Sequence, residues 1–206
     1  MNMFGKKILA LSPHTDDIEL GCGGTLTRFK ESGAKIHVIN FSRSKNHAAD
    51  TGDEVAEEFK HSMEVLGASF EMLNMPTRRL PEHRQEILDY LHDLNKQEEW
   101  DTVFCHSSFD EHQDHQTVQK EAFRAFKTKT ILGYELPWNC RQFKTDFFIK
   151  LENRHVENKI KMLSCYKSQM HRAFVNKEYV RDIARTRGLQ VQSEYAECFE
   201  LIRGVI

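Results

Sequence analysis

Two short clusters carry the residue types of metal-assisted hydrolysis: His14-Thr15-Asp16-Asp17 near the start of the chain and His112-Gln113-Asp114-His115 past its middle. Imidazoles and a carboxylate drawn from both can ligate a divalent cation, while a second carboxylate stays free to accept a proton. Two imidazoles and one carboxylate suit Zn2+, and similar ligands hold Fe2+, Co2+ or another divalent transition metal. Such an ion lowers the pKa of water towards about 7, and a free carboxylate takes the proton. The remaining imidazole can polarise a carbonyl or steady its oxyanion. Spacing alone does not decide whether Asp16 or Asp17 is the ligand. Each cluster by itself also reads as a helix cap with solvent-facing carboxylates, Asp114 being a natural cap for a helix that opens there. Their occurrence together points to one shared site.

The elements that must position them follow from the apolar pattern. Residues 6–12 read as a buried strand running directly into the first cluster. A helix of about 14 residues follows, with Gly33 placed as its left-handed C-terminal cap. Residues 34–41 are a second strand, so the opening is a βαβ unit, right-handed and parallel. Further strands are expected at 70–75, 102–106 and 131–136, and another at 143–151. Helices are expected at 53–66, 82–97, 116–127 and 155–169, while the tail from Tyr195 can be helix or strand. The fold expected is a single domain over residues 1–206, a three-layer α/β/α sandwich with a Rossmann-like, mostly parallel sheet. In such sheets strands one and four neighbour each other where the strand order reverses, so both clusters reach one crevice.

Composition narrows the function. Acidic and basic side chains number 31 and 29, so no basic excess marks a nucleic-acid partner. No apolar run is long enough to span a membrane, and no signal-peptide pattern opens the chain, which makes the cytoplasm the expected location. Five scattered cysteines without a C-x-x-C pair read as reduced thiols. Gly21-Cys22-Gly23-Gly24 lacks the dinucleotide-binding spacing, and neither a P-loop nor a G-x-S-x-G elbow occurs. Residues 42–52, with Arg43, Lys45, His47 and Asp50, read as a polar loop at the same sheet edge as the first cluster. Trp138 and the Arg141–Lys144 segment are placed to wall the site or simply to pack.

The run Pro13-His14-Thr15-Asp16-Asp17-Ile18-Glu19-Leu20-Gly21-Cys22-Gly23-Gly24-Thr25-Leu26 resembles the opening motif of the PIG-L/LmbE-like zinc-dependent N-acetylglucosamine deacetylases, and His112-Gln113-Asp114-His115 resembles their second motif. Weaker similarities lie at Asn74–Leu80, Tyr134-Glu135 and Tyr166–Gln169. Arg185–Gly188 and Tyr195–Glu200 look like the bacillithiol-type deacetylases of that family. The resemblance implies zinc on His14, Asp17 and His115, and Asp16 as the general base. It further implies His112 as the imidazole that stabilises the oxyanion and Asp114 as the residue orienting a neighbouring imidazole. Thr15 stands where the family usually has proline, and Ser42–His47 does not match its sugar-contacting loop, which puts the sugar in doubt but not the chemistry. The function expected is removal of an N-acyl group, chiefly acetyl, from a small-molecule amino sugar or its conjugate. The alternatives are an amidase acting on a non-sugar amide and a non-catalytic Rossmann-like module that binds a metal or nucleotide.

Overall fold

One seven-stranded sheet, ordered β3-β2-β1-β4-β5-β7-β6, runs through the described residues of the computed structural model, 5–43 and 52–205. Strands β1 (Lys7–Ser12), β2 (Lys35–Asn40), β3 (Ser69–Met72), β4 (Thr102–His106) and β5 (Thr130–Tyr134) are parallel. At the far edge β7 (Tyr195–Arg203) runs antiparallel between β5 and β6 (Phe147–Leu151). The helices are α1 (Asp17–Glu31), α2 (Gly52–Leu66), α3 (Arg84–Gln97), α4 (Gln113–Ala125), α5 (Asn153–Leu163) and α6 (Lys177–Leu189). Residues 44–51, including Lys45, His47 and Asp50 of the expected loop, lie outside the described residues.

The three layers follow from the two-residue period of the strands. In β1, Ile8 and Ala10 join one core with Phe59 of α2, Ile160 of α5 and Val180 of α6. Leu9 and Leu11 join the other, with Ile87 and Leu91 of α3 and Val118 and Ala122 of α4. The α/β/α sandwich expected from the sequence is thus the observed fold. Strand β1 pairs with β2 on one side and β4 on the other, so the order reverses between β1 and β4. Both chemistry-bearing clusters leave the sheet at that switch point.

Several details differ from the sequence expectation. The tail is strand, and its first six residues are buried because it fills the middle of the sheet's antiparallel end. The expected helix 155–169 stops at Leu163, and a 3-10 turn at Lys167–Gln169 follows. The break lets Tyr166 turn inward, where its hydroxyl donates to buried Glu19 at 2.7 Å. Helix α6 was not anticipated at all.

The glycine run has a packing role. A Cβ on Gly21 would stand 2.1 Å from Tyr134 Cδ2, and one on Gly23 would stand 2.9 Å from Met162 Cε. Glycine lets α1 lie flat against β5 and α5, and Tyr134 donates through the helix–sheet contact to the Leu11 carbonyl at 2.8 Å. Gly21→Ala is expected to cost about 1–3 kcal/mol through overpacking, read as a fall in Tm on thermal denaturation. An unchanged Tm contradicts this packing account.

Candidate metal centre

The β1–α1 turn is strained where the chemistry sits. Asp16 is the N-cap of α1 with φ +79°, a left-handed conformation that non-glycine residues rarely adopt. Its carboxylate makes no capping hydrogen bond, so it is not spent on the helix. Asp17 opens the helix, and its Oδ2 accepts the His14 backbone N–H at 2.8 Å. On the other side of the switch point, His112 caps α4, its Nδ1 accepting the Asp114 N–H at 3.2 Å. The cap is therefore His112 and not Asp114, which is turned inward and buried.

The carboxylates behind the imidazoles orient them. His14 Nε2 meets Asp114 Oδ2 at 2.8 Å, and His115 Nδ1 meets Asp110 Oδ2 at 2.9 Å. Ionised carboxylates only accept, so each of those nitrogens carries a proton. This leaves His14 Nδ1 and His115 Nε2 as lone pairs facing each other across 3.1 Å. Asp17 Oδ2 completes the triangle, 3.6 Å from the first and 3.5 Å from the second. Two neutral imidazoles so arranged repel each other, and either a proton shared between the two nitrogens or a cation among the three atoms relieves it. Tetrahedral ligands bonded to zinc at 2.0–2.2 Å stand about 3.3–3.6 Å apart, so these donors fit the ion in number, type and spacing. Asp114 is itself fixed by N–H groups of Arg78 and Leu80 at 2.6 and 3.1 Å.

Two other donor groups overlap this triangle, His14 with His112 and His115, and Asp17 with His106 and His115. The first needs a nitrogen of His112, whose Nδ1 already accepts a backbone N–H. The second needs His106 and His115 to converge, yet their rings are stacked at 3.6 Å and 15°, so their lone pairs run side by side. His106 is fully buried between two carboxylates, each ring nitrogen 3.2 Å from an oxygen of Asp17 or Asp110 but off hydrogen-bond alignment. It braces the carboxylates from behind.

Electrostatics divide the two aspartates. Burial and the neighbouring Asp17 charge push the Asp16 carboxyl well above the usual carboxylate range. Burial acts the same way on Asp17, but His115 and His106 outweigh it and hold that carboxylate well below its usual range. Burial disfavours charge on His14, but its hydrogen bonds to Asp114 and Asp17 prevail and raise it to about 9. Burial and the adjacent His106 lower His115 to about 4. Burial, followed by the charge of His14, also lowers His112.

These shifts predict how the metal-free protein responds to pH. Folding stabilises the His14 proton, a contribution complete below the ordinary 6.5 and lost as pH rises through about 9. Folding opposes a His115 proton, so stability is lost as pH falls from 6.5 through about 4. Metal-stripped protein should show its highest Tm near pH 6.5 and decline on both sides. A Tm that is flat from pH 6.5 to 9 contradicts the shared-proton geometry.

All six residues singled out by the sequence lie at the same sheet edge, and five of them contact one another; Asp16 instead faces Arg172, whose Nη1 is 3.7 Å from its Oδ2. Sequence reasoning missed Asp110, His106 and Arg172. Asp110 and His106 had a usable signal, since His106 ends the apolar run of β4 and Asp110 begins the polar stretch before His112. Arg172 had none, because it enters from a segment without periodicity. Other motifs serve the scaffold: Arg187 holds Glu135 through two 2.7 Å hydrogen bonds. Trp138 stacks on Phe174 at 4.2 Å, and Arg43 lies 3.8 Å from Asp53.

The family model described as PIG-L, GlcNAc-PI de-N-acetylase, matches residues 9–126. The uncharacterized deacetylase YaiS of Escherichia coli K12 is 30% identical over 170 residues, which cover 79% of this chain and 91% of YaiS. Among solved structures, the N,N'-diacetylchitobiose deacetylase of Pyrococcus horikoshii superposes with a TM-score of 0.78 at 20% identity, covering 95% of this chain and 83% of that one. GalB, the 4-carboxy-2-hydroxymuconate hydratase of Pseudomonas putida KT2440, gives 0.81 at 22% identity and 98% coverage of both chains. At these identities the structural likeness shows the fold, and a hydratase on the same fold means that the fold does not select the reaction.

Proposed function

The chain belongs to the PIG-L family of de-N-acetylases, and from that premise we propose that it is a metal-dependent hydrolase removing an N-acetyl group from an amino sugar or its conjugate. One observation carries this reading: lone pairs of His14 and His115 face each other beside Asp17, while the neighbouring Asp16 carboxylate is left uncommitted to the helix. His14, Asp17 and His115 would hold the ion, Zn2+ by preference of the donor set, with Fe2+ or another divalent metal as the alternative. When bound, the ion supplies Lewis acidity, polarising the amide carbonyl and lowering the pKa of water towards about 7.

The chain's own residues do the rest. Asp16 accepts the proton of the attacking water, and its raised pKa makes it a stronger base than an exposed carboxylate. It then returns that proton to the nitrogen of the departing amine. His112, with Nδ1 engaged by the Asp114 N–H, keeps Nε2–H as a donor for the oxyanion that develops on the carbonyl. Asp114 and Asp110 fix the tautomers of His14 and His115. Residues 1–206 act as one catalytic domain on this reading. The five free cysteines support a reducing, cytoplasmic setting. Among the described residues no helix is long and apolar enough to cross a membrane.

The test is a screen of the purified chain with added Zn2+ against N-acetylglucosamine, its glycosides and simple N-acyl amides. Amine and acetate are expected in equal amounts from the sugars, with loss of both on chelation. Turnover of non-sugar amides alone replaces the sugar reading with an amidase. No turnover of any amide, with a nucleotide retained through purification, replaces it with a binding module.

A further inference from the structure

Glu200 lies in β7, the antiparallel strand, directly opposite Gly133 of β5. It is buried, and its side chain reaches past β5 to the turn where β4 ends. There Oε2 accepts the Ser107 hydroxyl at 2.8 Å and the Ser108 backbone N–H at 2.7 Å, and Oε1 accepts the Ser108 hydroxyl at 2.5 Å. Gly133 makes the crossing possible. A Cβ there would stand 2.9 Å from Ser107 Cα and 3.3 Å from Glu200 Oε2.

Among the described residues Glu200 has no ion-pair partner, so neutral donors alone satisfy its carboxylate. A buried carboxylate held in this way is costly unless its contacts are made, and hydrogen bonds to an ionised acceptor are short and strong. All of them fall on one turn. Ser107 passes the constraint on: its hydroxyl accepts the Phe109 N–H at 3.1 Å, and its carbonyl accepts the Asp110 N–H at 3.1 Å. Asp110 then meets His115 Nδ1 through Oδ2 at 2.9 Å and receives the His112 N–H on Oδ1 at 2.8 Å. An unbroken line of hydrogen bonds therefore runs from β7 to one proposed ligand and to the imidazole proposed to meet the oxyanion.

We propose that Glu200 is a positioning residue of the metal centre: by fixing the Ser107–Ser108 turn it places Asp110, which sets the tautomer and position of His115. The inference rests on the metal-dependent reading of the site and extends it to a residue outside both histidine–aspartate clusters. Removing a partner that stands behind a metal ligand typically weakens binding by about 10–100-fold. Glu200 acts one step behind Asp110, so the lower end of that range, about tenfold, is expected.

The experiment measures Zn2+ affinity of the full chain, by competition with a chromophoric chelator, for the parent, Glu200→Met, Glu200→Gln and Ser107→Ala. Imidazole 15N shifts of the metal-free proteins report the His115 tautomer, which a loss of packing alone does not move. Leu151→Ala, a truncation of a buried residue in β6, controls for a fall in Tm without a change at the turn. Glu200→Met is expected to bind Zn2+ about tenfold more weakly and to lose the uniform Nδ1–H form of His115. Glu200→Gln should recover most of the affinity, because its amide oxygen can accept the Ser107 and Ser108 bonds of Oε2 while its NH2 donates to the Ser108 hydroxyl. Ser107→Ala should weaken binding in the same sense, and combined with Glu200→Met it should do no further harm, since both cut one link. It is the smaller change and carries the test if Glu200→Met does not fold. Affinity and tautomer unchanged in Glu200→Met and Ser107→Ala overturn the proposal and leave the deacetylase reading standing. An equal loss of affinity in Leu151→Ala also overturns it, because general loosening then accounts for the effect. Weaker Zn2+ binding in both turn variants of a chain that hydrolyses no amide upholds the positioning role and removes the deacetylase reading.

Discussion

Asp16→Asn is expected to keep its metal and to lose at least about 10²-fold in kcat with little change in KM. The amide is nearly the size of the carboxylate but cannot accept the proton of water. Asp16 makes no capping bond, so removing its charge does not unpick α1. Its left-handed backbone suits asparagine, one of the few residues that tolerate it, which makes Asn a cleaner test than Ala. The pH–rate profile should lose its acidic limb together with the rate, because that limb reports the base. An Asp16→Asn protein as active as the parent removes Asp16 from the reaction.

Asp17→Ala should have a different signature, loss of metal binding together with loss of stability. Its Oδ2 faces His14, His106 and His115 at 3.2–3.6 Å, so it is the carboxylate oxygen that all three imidazoles approach. Without it only two of the proposed ligands remain, and affinity should fall by more than the roughly 10–100-fold typical of losing a residue behind the ligands. The metal-free protein should also suffer, since removing one partner of a buried charged pair costs about 3–5 kcal/mol. For a chain of this size that is a fall in Tm of roughly 6–20 °C. Elemental analysis and calorimetry measure the two effects separately. Full metal content in Asp17→Ala would exchange the roles of the two aspartates.

That exchange marks the limit of what spacing conveys. Residue types and their positions after two apolar runs were enough to bring the clusters together, because a doubly wound sheet puts strands one and four side by side. Which aspartate faces the imidazoles depends on the first helical residue, set by a left-handed turn at Asp16 that no local pattern announces. His106 is visible as the polar end of a buried strand, but its role is not, because its environment comes from Asp17 at the end of another strand's turn. Helix α6 escaped because its apolar face is thin: Val180, Ala184 and Gly188 are the buried positions, and small residues give weak periodicity. The tail stayed ambiguous between helix and strand until its partners were known, since β7 is specified by pairing with β5 and β6 on both sides. The glycines of α1 were legible as unusual but not as packing, because their neighbours Tyr134 and Met162 lie more than a hundred residues away.

The most direct test of a metal-dependent deacetylase is acetate release from an N-acetylglucosamine conjugate by protein stripped of metal and titrated with Zn2+. The account predicts no release at the start and a rate that rises with added ion until about one equivalent per chain is bound, the single site formed by His14, Asp17 and His115. Stripped protein that releases acetate as fast as reloaded protein would contradict it, as would an absence of acetate at every metal level.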